Sequence, residues 1–213
     1  MPLHKTINLS QSAGMSTQIF VWKITESYVQ LFDEVALNDS NLIRLAGMKS
    51  ELHQRGFLSV RRLLQESGYN DFDLFYDEFG KPHLKDGKHI SITHSYHFSA
   101  IIISEQTVGI DIELQRGKII RIADKFVDEE FSYLDKNNKE EYIKKLTVIW
   151  GAKEAIFKIR NEKGISFKDH IKVKAFRLED KESKAELHFD NIVKSFKLFH
   201  EEIEGFRLVY TFE

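Results

Sequence analysis

Apolar positions along the chain change period several times, and each period predicts an element. Residues 18–24 (QIFVWKI) are dense in β-branched and aromatic side chains and predict a strand. From 41 to 66 the period lengthens. Leu45, Met48 and Leu52 fall on one helical face, and Phe57, Val60 and Leu64 continue it after room for a break. Gly68 is the expected stop. In the polar, aromatic connection that follows, Pro82 keeps Lys81 out of helical conformation. Strand patterns return at 89–93 (HISIT), 98–104 (FSAIIIS) and 108–113 (VGIDIE), with Glu105-Gln106-Thr107 turning between the last two. Asp128 is expected to cap a short helix over 129–135, with Glu129 and Glu130 in its first turn. Ile143, Leu146, Trp150 and Phe157 predict the strongest helix, 140–160. After Gly164, runs at 171–178, 185–189, 195–200 and 206–212 predict antiparallel strands, whereas residues 1–17 predict nothing. The fold class is α+β, with helices flanking modest sheets.

One of these strands carries charges an apolar strand does not need. Alternate side chains share a face, so Asp111 and Glu113 point the same way, about 7 Å apart, and Val108, Ile110 and Ile112 take the other face. Gly109 leaves room for something to approach the backbone. Two carboxylates on one face repel unless a positive group stands between them. Two readings stay open: a hard cation such as Mg2+, which prefers carboxylate oxygens, water and substrate phosphate, or a lysine or arginine from a neighbouring strand.

Two further stretches carry chemistry. In IWGAKEAIFKI (149–159), Trp150, Glu154 and Lys158 form one helical stripe, bordered by Lys153. A solvated Glu154–Lys158 pair is the plain alternative, but Trp150 on the same stripe argues for cover. Gly151 costs about 1 kcal/mol against alanine inside a helix, which suggests a close contact. Earlier, Gly80-Lys81-Pro82 puts a lysine on a constrained turn, a good phosphate point charge. Thr93-His94-Ser95 adds hydroxyls and an imidazole at a strand end. An ordinary turn lysine and a structural histidine are the alternatives, and the spacing of His89, His94 and His97 matches no strong zinc pattern.

Composition narrows the classes. The 213 residues suffice for one large or two small domains, and the net charge of −2 argues against a generic nucleic-acid or membrane binder. Without cysteine there is no thiol catalysis, disulfide or cysteine-ligated zinc. No stretch approaches the roughly 20 apolar residues of a membrane span, and residues 1–14 lack the apolar core of a signal peptide. A cytoplasmic location is the expectation.

Taken in order, GKP at 80–82, SITHS at 91–95, VGIDIE at 108–113 and WGAKEAIFK at 150–158 resemble the 4′-phosphopantetheinyl transferase superfamily, and KGIS at 163–166 looks like its usual continuation. The resemblance covers about residues 45–175, and the length is closest to the larger, Sfp-like branch. It implies two similar α/β halves in one chain, divided here as 1–105 and 106–213, and a monomer. It also implies transfer of 4′-phosphopantetheine from coenzyme A to a serine of an apo acyl- or peptidyl-carrier protein, releasing adenosine 3′,5′-bisphosphate. By position, Asp111, Glu113 and Glu154 would hold Mg2+, with Mn2+ as the alternative. Asp111, Glu154 and Lys158 would be catalytic, with Glu154 the first choice of base, directly or through a water on the cation. Gly80, Lys81, Pro82, Thr93, His94, Lys153 and Lys158 would contact coenzyme A, with Lys49, Arg55, Arg61 and Arg62 as further phosphate contacts. Carriers of this type are acidic helical bundles, so the stretches 114–127 and 153–174 are candidate docking surfaces. One departure stands out: Tyr96 follows Thr93-His94-Ser95 where the family usually has Ser-His-Ser and a small residue. A non-catalytic coenzyme A module and a Mg2+-dependent phosphohydrolase are the competing functions.

Overall fold

In the computed structural model, which describes residues 3–10 and 16–213, the short apolar runs become two antiparallel sheets. Each belongs to one of two units, Met1–Thr107 and Val108–Glu213. Of the stretch read above for a leader, residues 1–2 and 11–14 lie outside the described residues.

The strand predicted at 18–24 is β2 (Ser16–Lys23), and it pairs with a strand the sequence did not announce, β1 (Leu3–Ser10). The predicted helix over 41–66 is two helices. After α1 (Tyr28–Asp33) come α2 (Asp39–Ala46) and α3 (Glu51–Glu66). Asn38 caps α2 through its side chain, and Gly47 ends it with an N–H to the Ile43 carbonyl, which produces the break. The unit continues through β3 (Leu74–Tyr76), β4 (Pro82–Leu84), β5 (His89–Ser95) and β6 (Phe98–Ser104). The sheet order is β1-β2-β6-β5-β4-β3. Phe57, Val60 and Leu64 of α3 bury against Phe20, Trp22 and Ile101 of the sheet, as their spacing requires.

Two arginines proposed as phosphate contacts are already committed here. Arg61 is buried, its Nε donates to Asp71 Oδ1 at 2.9 Å, and its guanidinium lies 3.5 Å over the Phe57 ring. Arg62 pairs with Glu34 at 3.2 Å. Arg61 is therefore part of the core rather than a ligand contact.

The C-terminal unit starts with β7 (Val108–Leu114) and passes through 3-10 turns at Gly117–Lys125 and Glu129–Tyr133. Then come α4 (Lys139–Arg160), a short α5 (Phe167–His170), β8 (Ile171–Val173), β9 (Glu182–Phe189), β10 (Ile192–Ile203) and β11 (Phe206–Phe212). The strand order is β7-β11-β10-β9-β8, and α4 lies across β7 and β11. Leu146, Ile149 and Ile156 of α4 join Leu187, Leu198 and Val209 in one core.

Two expectations are corrected here. Asp128 does not cap the segment after it: its backbone is at φ −140°, ψ −93°, its side chain makes no cap bond, and its carboxylate takes Lys172 at 2.9 Å. The run 171–178 forms strand only to Val173, because Phe176 turns in against Tyr133 and His200. Among the described residues, no helix is long and apolar enough to cross a membrane.

His200 on β10 is 2% exposed and meets the Phe176 ring at 5.4 Å. Burial first, then the nearby Arg207 charge, pushes its pKa from 6.5 down to about 4. Between these values the unfolded chain binds a proton that the folded chain refuses, so stability present above pH 6.5 drains away as pH falls toward 4. The full loss is about 3 kcal/mol. Urea midpoints should fall more steeply with acid in wild type than in His200→Leu. Parallel pH profiles would contradict this assignment.

Candidate active site

Two glycines and an alanine let α4 settle onto the acidic strand. β7 is the edge of its sheet, paired only with β11 among the described strands, and Asp111 stands opposite Val209 while Glu113 stands opposite Arg207. Gly109, Asp111 and Glu113 share the face that meets α4. A Cβ on Gly109 would lie 1.9 Å from the Ala155 carbonyl oxygen, so this is the close approach its position requires. Reciprocally, a Cβ on Gly151 would lie 2.9 Å from Val209 Cγ2 and 3.6 Å from Asp111 Oδ2. The helical cost of Gly151 therefore admits a carboxylate beside the helix.

Gly109→Ala should force β7 and α4 apart, because the obstructing atom is backbone and cannot rotate away. A loss of about 3 kcal/mol or more in urea unfolding is expected. A wild-type midpoint would show that the helix gives way freely.

With the helix seated, Glu154 and Lys158 flank the contact. Lys158 Nζ donates to Asp111 Oδ1 and to the Ile110 carbonyl, both at 2.8 Å. Asp111 is buried at 4% exposure, so its charge is neutralised by this lysine, which comes from the helix rather than a neighbouring strand. Glu154 is half-buried, and its pKa is pushed from 4.5 to about 7. Burial is the main cause and Asp111 the next, Lys158 opposes them, and Glu113 adds to the rise. Glu154 thus feels both acids of β7 electrostatically. Trp150 is wedged between Phe126 at 5.0 Å and Phe167 at 5.6 Å, which gives the stripe its cover. Glu113 and Trp150 also line a cleft of about 230 Å3 with Leu114, Ile119 and Ile122, and Arg116 and Lys118 are at its wall.

The chemistry of this donor set suits a hard divalent cation: oxygen ligands only, and a carboxyl whose ionisation two other carboxylates oppose. Among the described residues, no three Asp, Glu or His side chains stand close enough to form a finished cage. Asp111 instead holds the Lys158 ammonium.

Lys153 does not take the place given to it. It is fully buried, and its ammonium meets Glu130 Oε1 at 2.7 Å and the carbonyls of Phe126 and Phe167 at 2.6 and 2.9 Å. Those three acceptors use its three donors, so a coenzyme A contact is replaced by an internal clamp. Glu130 went unrecognised as its partner. A signal existed, because Lys153 follows Ile149 and Ala152 and precedes Ile156 on the apolar face, and a lysine there requires a buried acid.

In the N-terminal unit, Gly80 adopts φ +80° and Lys81 leads into Pro82 at the start of β4. Lys81 lies near enough to His89 to depress its pKa, after burial, the main cause. Thr93 is buried on β5, whereas His94 is exposed and lies against α3. A Cβ on Gly56 would come within 2.8 Å of His94 Nδ1, and the His53 ring is 6.5 Å away. Tyr96 turns the β5–β6 hairpin at φ 50°, a left-handed conformation unusual for a bulky residue.

A family model described as the 4′-phosphopantetheinyl transferase superfamily matches residues 107–211. Asp111, Glu113, Glu154 and Lys158 fall inside that match, and Gly80 to His94 precede it. The chain is also similar to curated proteins. It is 26% identical over 133 residues to 4′-phosphopantetheinyl transferase gsp of Aneurinibacillus migulanus, covering 62% of this chain and 54% of that protein. It is 29% identical over 126 residues to 4′-phosphopantetheinyl transferase ffp of Bacillus subtilis, covering 55% and 56%. It is 31% identical over 100 residues to 4′-phosphopantetheinyl transferase Sfp of Bacillus subtilis (strain 168), covering 46% and 44%. The matched part spans about half the length of these relatives.

Proposed function

Since the chain belongs, through residues 107–211, to the 4′-phosphopantetheinyl transferase superfamily, we propose that it moves 4′-phosphopantetheine from coenzyme A to a serine of an apo acyl- or peptidyl-carrier protein. The observation that carries this reading is the meeting of Asp111 and Glu113 on β7 with Glu154 and Lys158 on α4. In the reaction, the serine oxygen forms a bond to the pantetheine-side phosphorus of the pyrophosphate. The bond to the adenosine bisphosphate oxygen breaks, and its electron pair leaves with that group.

Glu154 takes the serine proton at its carboxylate. In the cation-free site a pKa of about 7 leaves it able both to accept and to release a proton near neutral pH, and a bound cation would lower that value. Lys158 moves its ammonium from Asp111 to the growing negative charge on the pyrophosphate, a move its partly exposed side chain permits. Lys81, held on a turn, supplies a phosphate contact. Asp111, Glu113 and Glu154 would hold Mg2+ or Mn2+, which when bound neutralises the pyrophosphate and aligns it for displacement. Arg116 and Lys118 beside the apolar cleft suit an acidic carrier helix.

The test is intact-mass measurement of apo carrier proteins after incubation with the protein, coenzyme A and Mg2+. One phosphopantetheinyl group added to a carrier is the expected result. Untouched carriers with intact coenzyme A would falsify the transferase reading, and bisphosphate released over untouched carriers would replace it with a hydrolase.

A further inference from the structure

The turn that holds Lys81 is closed by one residue. Asp77 Oδ1 accepts the backbone N–H groups of Phe79 and Lys81, each at 2.9 Å. The Asp77 N–H donates to the Lys81 carbonyl at 3.0 Å, and its own carbonyl accepts from Gly80 at 3.0 Å. The second carboxylate oxygen, Oδ2, stands 3.0 Å from His83 Nε2. Gly80 at φ +80° lets the chain double back inside this ring of bonds. His83 is itself steadied by the Phe75 ring, 5.4 Å away and nearly parallel. The hydrogen bonds from His83, Lys81 and Phe79 favour the ionised carboxylate, in that order of effect, and Asp77 accordingly titrates below the usual aspartate value.

We infer that Asp77 is a positioning residue for the proposed transfer: by closing the 77–81 turn it fixes where Lys81 can meet a phosphate-bearing substrate. The inference rests on the reading of Lys81 as a coenzyme A contact. Both carboxylate oxygens of Asp77 are engaged within the turn and by His83, so its role is to hold the turn rather than to exchange bonds with the reacting atoms. Its effect is therefore on the fraction of molecules whose turn is ready. Affinity falls in proportion to that fraction while the chemical step keeps its rate.

Five forms of the full chain test this: wild type, Asp77→Ala, Asp77→Asn, Lys81→Ala and the Asp77→Ala/Lys81→Ala double variant. Calorimetric coenzyme A binding and the KM and kcat of carrier modification are read for each, and amide hydrogen exchange over 77–82 reports the turn in the free protein. Asp77→Ala should raise KM and Kd for coenzyme A about tenfold, leave kcat within about twofold and speed exchange in the turn. Asparagine keeps the acceptor for both N–H groups, so Asp77→Asn should recover most of the affinity. In the Lys81→Ala background, removing Asp77 should add nothing, because its effect passes through Lys81. If Lys81→Ala weakens coenzyme A but Asp77→Ala does not, or if the double variant is additive, the inference fails and the role of Lys81 stands. If Lys81→Ala binds coenzyme A normally, the role of Lys81 fails and takes the inference with it.

Discussion

Lys153→Met is expected to destabilise the C-terminal unit by about 3–5 kcal/mol, the cost of stranding one member of a buried ion pair. Methionine fills similar space, so the loss is electrostatic rather than a cavity. It leaves the Glu130 carboxylate, at 1% exposure, without its cation, and the carbonyls of Phe126 and Phe167 without their donor. Burial pushes the Lys153 pKa down and Glu130 pulls it back up, so that partner favours the charged form of the lysine. Glu130 also accepts the N–H groups of Val173 at 3.0 Å and Asp128 at 3.1 Å, so the pair ties α4 to the 3-10 turn before it and to β8 after it. Removing both charges in Lys153→Met/Glu130→Met should recover only part of the loss, because those two backbone donors remain unmatched. Urea unfolding measures all three variants. A wild-type midpoint for Lys153→Met would mean that the clamp is dispensable and would reopen the question of what that lysine contacts.

That clamp shows what the sequence could and could not announce. Period alone located β6, where the run FSAIIIS is the strand from end to end, and it located α4 to within one residue. Period also put Asp111 and Glu113 on one face and Glu154 and Lys158 on one stripe, because both rules depend only on near neighbours. What depends on distant partners stayed hidden. Gly109 advertised a close approach, but the approaching atom belongs to Ala155 on another element. β1 carries Lys5 among its inward positions and only half-buries its apolar residues, so its alternation was too faint to read. Glu130 sits in a short 3-10 turn, whose geometry supplies no period from which to infer an inward side chain. Lys153 is next to Glu154 in sequence, but it shares its helix face with the buried Ile149 and Ile156, and that face decides its partner.

Glu154→Gln and Lys158→Met should each lower transfer to a carrier by at least about a thousandfold, yet shift cation binding in opposite directions. Glutamine keeps the size of Glu154 but removes a proton acceptor and an anionic oxygen ligand. Cation affinity in the substrate-free protein should therefore fall about tenfold or more. Lys158 presently neutralises Asp111 at 2.8 Å, and an ammonium and a divalent cation cannot both claim that oxygen. Lys158→Met releases Asp111, so cation affinity should rise even as transfer is lost with the positive charge that the leaving group requires. Calorimetric titration with Mg2+ and Mn2+, without coenzyme A, reads binding independently of turnover. Glu154→Gln removes no packed core side chain, so a urea midpoint close to wild type is expected, whereas Lys158→Met strands the buried Asp111 carboxylate and should lower the midpoint of the cation-free protein. If both substitutions weaken the cation equally, Lys158 does not compete for Asp111. If neither alters it, the cation binds elsewhere, and Lys158 serves to keep Asp111 neutralised rather than to compete with a cation.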